Sequence, residues 1–284
     1  MTVYNQTEKK LDLDQARLIK KINLTDNLAI FRFQPTNNSP VLDFKPGQFV
    51  NLGLQLDEKN PTYRSYSMSS SPFEKRYYEF YIKHKERPTL GKFTTALFKM
   101  SINETVFLQK PRGVFTIEES KPDGTPDTRQ MILVASGTGL APFISYILYL
   151  QKTLKPNKIV LIHGASYPTE LGYKEFLDDL ASQNNDRCNF TYIPTVSRPN
   201  DSLSKTWTGN TGRVDSILSG IESHSSKLEK ILGTEITPKN SFFYLCGHDK
   251  MIDDVSEMLL PLDFVDIRHK RKDGSFDFKF EYGF

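Results

Sequence analysis

Residues Met131–Leu150 form a run of twenty without one charged side chain, long enough for a helix to cross a bilayer. The run is interrupted at its centre by Gly137, Gly139 and Pro142, flanked by Ser136 and Thr138. Two glycines and a proline do not suit one continuous helix, but they suit a turn between two elements. The run therefore reads as a buried strand, a tight turn and a buried helix, and not as a membrane span. Elements apolar all round must be covered on both sides, which calls for an α/β core.

The residues that follow repeat the theme. Apolar runs at Ile159–His163, Phe190–Val196 and Phe242–Cys246 alternate with helical patterns; these lie at Leu140–Gln151, Leu171–Leu180 and Met251–Leu260. Such alternation predicts a doubly wound parallel sheet. The first 118 residues differ. Ala29–Phe33, Gln48–Leu54 and Tyr77–Ile82 are rich in aromatic and β-branched residues, and turn formers separate them: Pro35-Thr36-Asn37-Asn38, Lys45-Pro46-Gly47 and Ser71-Pro72. This spacing predicts a small antiparallel barrel or sandwich. Between the two patterns, Glu118–Gln130 is polar, with two prolines and a glycine, and is the best linker. The expected division is a β-barrel over residues 1–119 and an α/β doubly wound parallel sheet over residues 120–284.

Composition excludes several kinds of chemistry. Two cysteines, Cys188 and Cys246, are too few for an iron–sulfur cluster, which takes about four ligands. Five scattered histidines show no metal-ligand spacing, so no metal is expected and redox chemistry here requires an organic cofactor. A net charge of +3 is small for 284 residues and does not indicate a nucleic-acid binder. Met1–Lys10 lacks the basic-then-apolar order of a secretory signal; a cytoplasmic monomer is expected.

Three short stretches could carry chemistry. Ser136-Gly137-Thr138-Gly139-Leu140-Ala141-Pro142 joins a strand to a helix. Glycines there let backbone approach a pyrophosphate, and a helix N-terminus attracts anions; a plain tight turn is the alternative. Arg64-Ser65-Tyr66-Ser67 ends a strand and combines a phosphate partner, a flat ring and a hydroxyl, although an ordinary half-buried strand would look the same. Gly91-Lys92-Phe93-Thr94-Thr95 opens a second helix, with hydroxyls placed to cap it or to bind an anion.

Taken in order, these stretches resemble the ferredoxin–NADP⁺ reductase family, especially its bacterial ferredoxin/flavodoxin–NADP⁺ reductases. The resemblance runs from about Leu18 to Phe284 and includes Arg64-x-Tyr66-Ser67, Gly91-x-x-Thr94 and Lys110-Pro111-Arg112-Gly113-x-Phe115. It continues with Gly137-Thr138-Gly139-x-Ala141-Pro142 and Cys246-Gly247-x-x-x-Met251. It implies an FAD whose pyrophosphate is bound by Arg64 and by the backbone of Gly91, Lys92, Phe93 and Thr94. Tyr66 would stack on the isoalloxazine ring and Ser67 would hydrogen-bond near its N5. Gly137, Thr138, Gly139, Cys246, Gly247 and Met251 would serve NADP(H), with Thr138 and Cys246 beside the nicotinamide. Tyr66, Ser67 and Cys246 would thus border the reacting atoms; Cys246 is either an orienting group there or an inert buried residue.

Ser197 and Arg198, with Arg213, resemble the family's binding residues for the adenosine 2′-phosphate, whereas Ser166 stands where close relatives often carry a further arginine. The alternative for both arginines is solvated surface. At the C-terminus, strict alternation over Phe276–Phe280 predicts a last, edge strand. Tyr282 and Phe284 resemble the aromatics with which relatives cover the flavin or its adenine. Arg268-His269-Lys270-Arg271-Lys272, and Lys83, Lys85 and Arg87, are either solvated surface or a docking face for an acidic ferredoxin or flavodoxin. The implied function is FAD-mediated electron transfer between NADP(H) and such a one-electron carrier. Two alternatives are a reductase component of an oxygenase system and a non-catalytic nucleotide-binding module.

Overall fold

The computed structural model describes residues 14–57, 60–84, 91–153, 158–183 and 189–283. Cys188, Lys85, Arg87 and Phe284 lie outside them. The antiparallel half comprises β1 (Asp14–Thr25), β2 (Leu28–Pro35), β3 (Phe49–Leu54), β4 (Thr62–Ser67), β5 (Tyr78–Lys83), the helix α1 (Lys92–Lys99) and β6 (Thr105–Leu108). Its strands lie in the order β4-β3-β6-β1-β2-β5. The two end strands curl together: Met68, just past β4, bridges Phe80 of β5, and the Ser69 N–H donates to the Glu79 carbonyl at 2.8 Å. A sheet that nearly meets itself in this way is a barrel and not a sandwich. Inward residues including Leu18, Phe31, Phe33, Val50, Leu52 and Phe80 fill it.

β1 and β6 carry little signal in the sequence. In β1 only Ala16 and Leu18 are buried, and β6 has four residues. Pairing makes them strands: β1 sits between β2 and β6.

The second half holds β7 (Gln130–Ser136), α2 (Ala141–Thr153), β8 (Ile159–Ala165), α3 (Lys174–Ser182), β9 (Phe190–Val196), β10 (Asn210–Thr211), α4 (Asp215–Leu218), α5 (Lys227–Leu232), β11 (Ser241–Gly247), α6 (Asp249–Leu259) and β12 (Phe278–Tyr282). The sheet is parallel throughout, in the order β10-β9-β8-β7-β11-β12. One face packs Leu133, Leu161 and Tyr244 against Phe143, Tyr146 and Leu177 of α2 and α3. The other packs Ile132, Val134, Ile162 and Phe243 against Ile217, Leu228 and Val255 of α4, α5 and α6. Strands buried on both faces explain the unbroken apolar runs. From β7 the chain steps outward to β8, β9 and β10, then returns to the other side of β7 with β11. The junction of β7 and β11 is thus a topological switch point, where such sheets open a crevice at the strand C-termini.

Two expected elements begin or end elsewhere, and the linker is tied down. The helix expected from Leu171 begins at Lys174, because Pro168–Glu170 forms a 3₁₀ turn and Tyr173 adopts a left-handed φ of 59°. The last strand is displaced two residues toward the C-terminus, Phe278–Tyr282, and it is the edge strand. Residues 118–130 are not a loose tether: Ser120 bridges Pro126, and Arg129 binds Asp127 at 2.5 Å and Asp277 at 2.8 Å.

Candidate active site between barrel and sheet

A crevice of about 640 Å³ opens where the barrel meets the switch point of the sheet. On the barrel side, β3 pairs with β4 so that Val50 lies opposite Tyr66 and Phe49 opposite Ser67. Arg64, Tyr66 and Ser67 all line the crevice. Burial pushes the Tyr66 hydroxyl well above its ordinary range, and its ring leans on Phe93 with centroids 6.1 Å apart. The Arg64 guanidinium folds back onto the Tyr63 carbonyl at 2.7 Å.

Helix α1 contributes its first turn. Phe93 and Leu97, one turn apart, are buried in the barrel core, and Gly91, Lys92, Phe93 and Thr94 line the crevice. The N-cap is Gly91, with extended backbone and no capping side chain; the Thr94 hydroxyl donates to the Gly91 carbonyl at 3.1 Å. The positive end of the helix thus lies at the crevice, where it favours an anion.

From the sheet come Thr138, Gly139, Ala141 and Pro142 after β7, and Cys246 at the end of β11. Thr138 and Tyr66 therefore share one crevice. The glycines around them serve first to let two turns interlock. A Cβ on Gly139 would lie 2.2 Å from the Cys246 carbonyl oxygen, and one on Gly247 would lie 2.2 Å from the Ser136 hydroxyl. Gly247 also requires a φ of +141° that side chains disfavour. Gly137, at φ +55°, faces open space. Cys246 is 4% exposed. Burial and the nearby Glu281 push its thiol well up, so it is a buried packing residue and not a thiolate nucleophile.

Glu281 was not foreseen. It lies opposite Cys246 in the β11–β12 register, lines the crevice, and accepts a hydrogen bond from the Ser67 hydroxyl at 3.2 Å. Burial raises its carboxyl to about 7, with the Ser67 bond opposing. Alternation over Phe276–Phe280 leaves open where the charged residues of the tail point. They lie inside: Asp277 and Lys279 are each 3% exposed, because residues 114–118 and 129 cover that face.

Other predicted residues lie outside the crevice lining. Ser197 and Arg198 follow β9, and Arg213 follows β10. Those strands pair Val196 with Thr211, which brings the two arginine-bearing turns side by side at the sheet's C-terminal edge. Both arginines are exposed. Arg198 donates to the Tyr167 hydroxyl at 2.7 Å, and its backbone N–H to the Ser166 carbonyl at 3.2 Å. Met251 is buried in the core between the sheet and α4–α6. Tyr282 borders the crevice, but its ring stands edge-on to Phe280 at 5.3 Å and its hydroxyl reaches Asp253 at 3.2 Å.

The basic run is less free than it looked. Arg268 pairs with Asp266 and covers Phe280; Arg271 pairs with Asp277; Lys270 sits over Phe276. Lys83 pairs with Glu170 at 2.5 Å. Among the described residues, no acidic, histidine or cysteine cluster could hold a metal ion, and no helix is long and apolar enough to cross a membrane.

Known proteins match both halves. Residues 15–117 match the oxidoreductase FAD-binding domain and residues 133–257 the oxidoreductase NAD-binding domain. The chain is 30% identical to the ferredoxin–NADP reductase of Azotobacter vinelandii, over 82% of this chain and 84% of that one. It is 29% identical to the flavodoxin/ferredoxin–NADP reductase of Buchnera aphidicola, over 91% and 94%. The crystal structure of a ferredoxin NADP⁺ reductase from Neisseria gonorrhoeae, with bound FAD and NADP, superposes with a TM-score of 0.76 at 23% identity, covering 96% of this chain and 99% of that one. The barrel, the parallel sheet, the crevice they share and these matches together make the chain a member of the ferredoxin–NADP reductase family of FAD- and NAD(P)-binding oxidoreductases.

Proposed function

We propose that the chain moves electrons between NADP(H) and a separate one-electron carrier, a ferredoxin or flavodoxin. Residues 1–119 hold the flavin and residues 120–284 the dinucleotide. The observation that carries this is the single crevice walled by Tyr66 and Ser67 on one side and by Thr138 and Cys246 on the other. The residues fit FAD: a tyrosine face, a cation at Arg64 and an uncapped helix N-terminus suit a planar ring joined to a pyrophosphate. Bound there, FAD supplies a two-electron acceptor for hydride that can release electrons singly.

The protein's part is positioning and proton handling. Arg64, Lys92 and the N-terminal turn of α1 would take the pyrophosphate, and Tyr66 would back the ring. Thr138 and Cys246, on the opposite wall of the crevice, would border and orient the nicotinamide. Ser67 hydrogen-bonds Glu281 at the crevice wall, and a carboxyl raised to about 7 would accept or return a proton through the Ser67 hydroxyl at working pH. Ser197, Arg198 and Arg213 favour the 2′-phosphate of NADP(H) over a bare ribose. Lys83 and the basic run Arg268–Lys272 favour an acidic carrier.

An anaerobic titration tests the proposal. The purified yellow protein should bleach with NADPH at lower concentration than with NADH, then pass electrons to added ferredoxin or flavodoxin. Protein that takes up no flavin on reconstitution sinks the whole reading. Preference for NADH with neither carrier reduced points to the reductase of a different acceptor, such as an oxygenase.

A further inference from the structure

Residues 115–119 lead out of the barrel and belong to no helix or strand. Buried backbone groups must find partners, and here side chains of the sheet half supply them. The Tyr146 hydroxyl donates to the Phe115 carbonyl at 2.8 Å, and the Glu118 N–H donates to the Tyr244 hydroxyl at 2.8 Å. Lys279 does the most. Its ammonium donates to the carbonyls of Val114 at 3.1 Å and Thr116 at 3.0 Å and to the Glu118 carboxylate. Three donors thus meet three acceptors, all on one segment, on a side chain that is 3% exposed.

Lys279 sits on β12 two residues before Glu281, so both project from the same face of the strand. That face is the one turned to the barrel, since Lys279 and Glu281 lie beside Tyr244 and Cys246 in register. β12 therefore meets the barrel at two points: Lys279 on its exit segment and Glu281 on Ser67. We propose that Lys279 is a positioning residue for electron transfer: it locks the exit segment onto β12 and thereby sets Glu281 against Ser67 at the crevice. This rests on reading the crevice as the meeting place of flavin and nicotinamide. The ionisable groups that feel Glu281 are Cys246 on β11 and Tyr146 on α2; Tyr146 also feels Glu118, the partner of Lys279, so Glu118→Gln separates that charge from the positioning.

The test compares wild-type holoprotein with Lys279→Met, Lys279→Arg and Glu118→Gln. The kcat and KM for NADPH, with ferricyanide as acceptor, are measured across about pH 5.5–9. Lys279→Met should keep its flavin and its KM, lose kcat by about tenfold or more, and shift the ionisation seen near neutrality; Lys279→Arg should recover part of both. Independently of activity, amide exchange in flavin-free Lys279→Met should quicken about tenfold over 114–118 and 278–282 and stay unchanged in β2 and β3. If Lys279→Met does not fold, Glu118→Gln takes its place, with a smaller loss of kcat and faster exchange of the same segments. A folded variant with kcat within about twofold of wild type and an unmoved pH profile overturns the proposal. Wild-type protein that oxidises no NADPH overturns instead the reading on which it rests.

Discussion

Glu281 carries a carboxyl whose burial outweighs the one hydrogen bond it accepts, so it titrates at about 7 when folded instead of near its ordinary 4.5. Between those values the native state holds a proton that the unfolded chain has released. Stability must therefore fall as pH rises through this window, and the full penalty, a few kcal/mol at most, applies above it. Glu281→Gln should accordingly raise the denaturation midpoint of the flavin-free protein at pH 8 and leave it unchanged at pH 4, while lowering turnover at both neutral and alkaline pH. Equal effects on stability at the two pH values would contradict this assignment. Gly139 is constrained differently. A methyl group there meets the Cys246 carbonyl at 2.2 Å, where only backbone could yield. Gly139→Ala should cost about 3 kcal/mol in denaturant unfolding, as overpacking at a rigid contact does.

At the level of elements, α1 and β12 do the positioning. Helix α1 presents its N-terminus to the crevice because Phe93 and Leu97 anchor one side of it in the barrel. Phe93 also supports the Tyr66 ring. Phe93→Ala should destabilise the protein by roughly 3–5 kcal/mol and weaken FAD binding, read by flavin fluorescence on titrating the apoprotein. Retained affinity would mean that α1 holds its place without that anchor. β12 joins an apolar face of Phe278 and Phe280 to a charged face of Lys279 and Glu281. Alternation in its sequence was plain, but it is equally compatible with a solvated charged face. Only the exit segment of the barrel, some 160 residues away in sequence, makes that face an interior one.

For the whole molecule, the question is how rigidly barrel and sheet are held. β5 faces the sheet half with Glu79, Tyr81 and Lys83. Tyr173 donates to Glu79 at 2.8 Å and touches Ser69 at 3.0 Å; Tyr81 donates to the Glu170 carbonyl at 2.9 Å; Lys83 pairs with Glu170. Burial ranks these links. Tyr173→Phe removes a buried bond to a charged group and should cost about 2 kcal/mol, whereas Lys83→Ala, at a half-exposed pair, should cost less than about 1 kcal/mol. Thermal unfolding of both variants would check the order. A larger loss for Lys83→Ala would show that the exposed pair, and not the buried tyrosine, joins the halves.

Local periodicity and turn chemistry already specify two differently built halves, the strand–turn–helix around Gly137 and Gly139, and the glycine-led start of α1, because each depends on neighbours within a few residues. The ordered motifs likewise point to Arg64, Tyr66, Thr138 and Cys246. Local pattern could not reveal β1 and β6, which are strands through their partners, nor that Met251 faces the core and Tyr282 leans on Phe280. Nor could it expose Glu281, whose chemistry arises from burial against Ser67, or Lys279, whose three acceptors come from a distant stretch of chain. Burial and pairing between remote segments are properties of packing, and no single segment contains them.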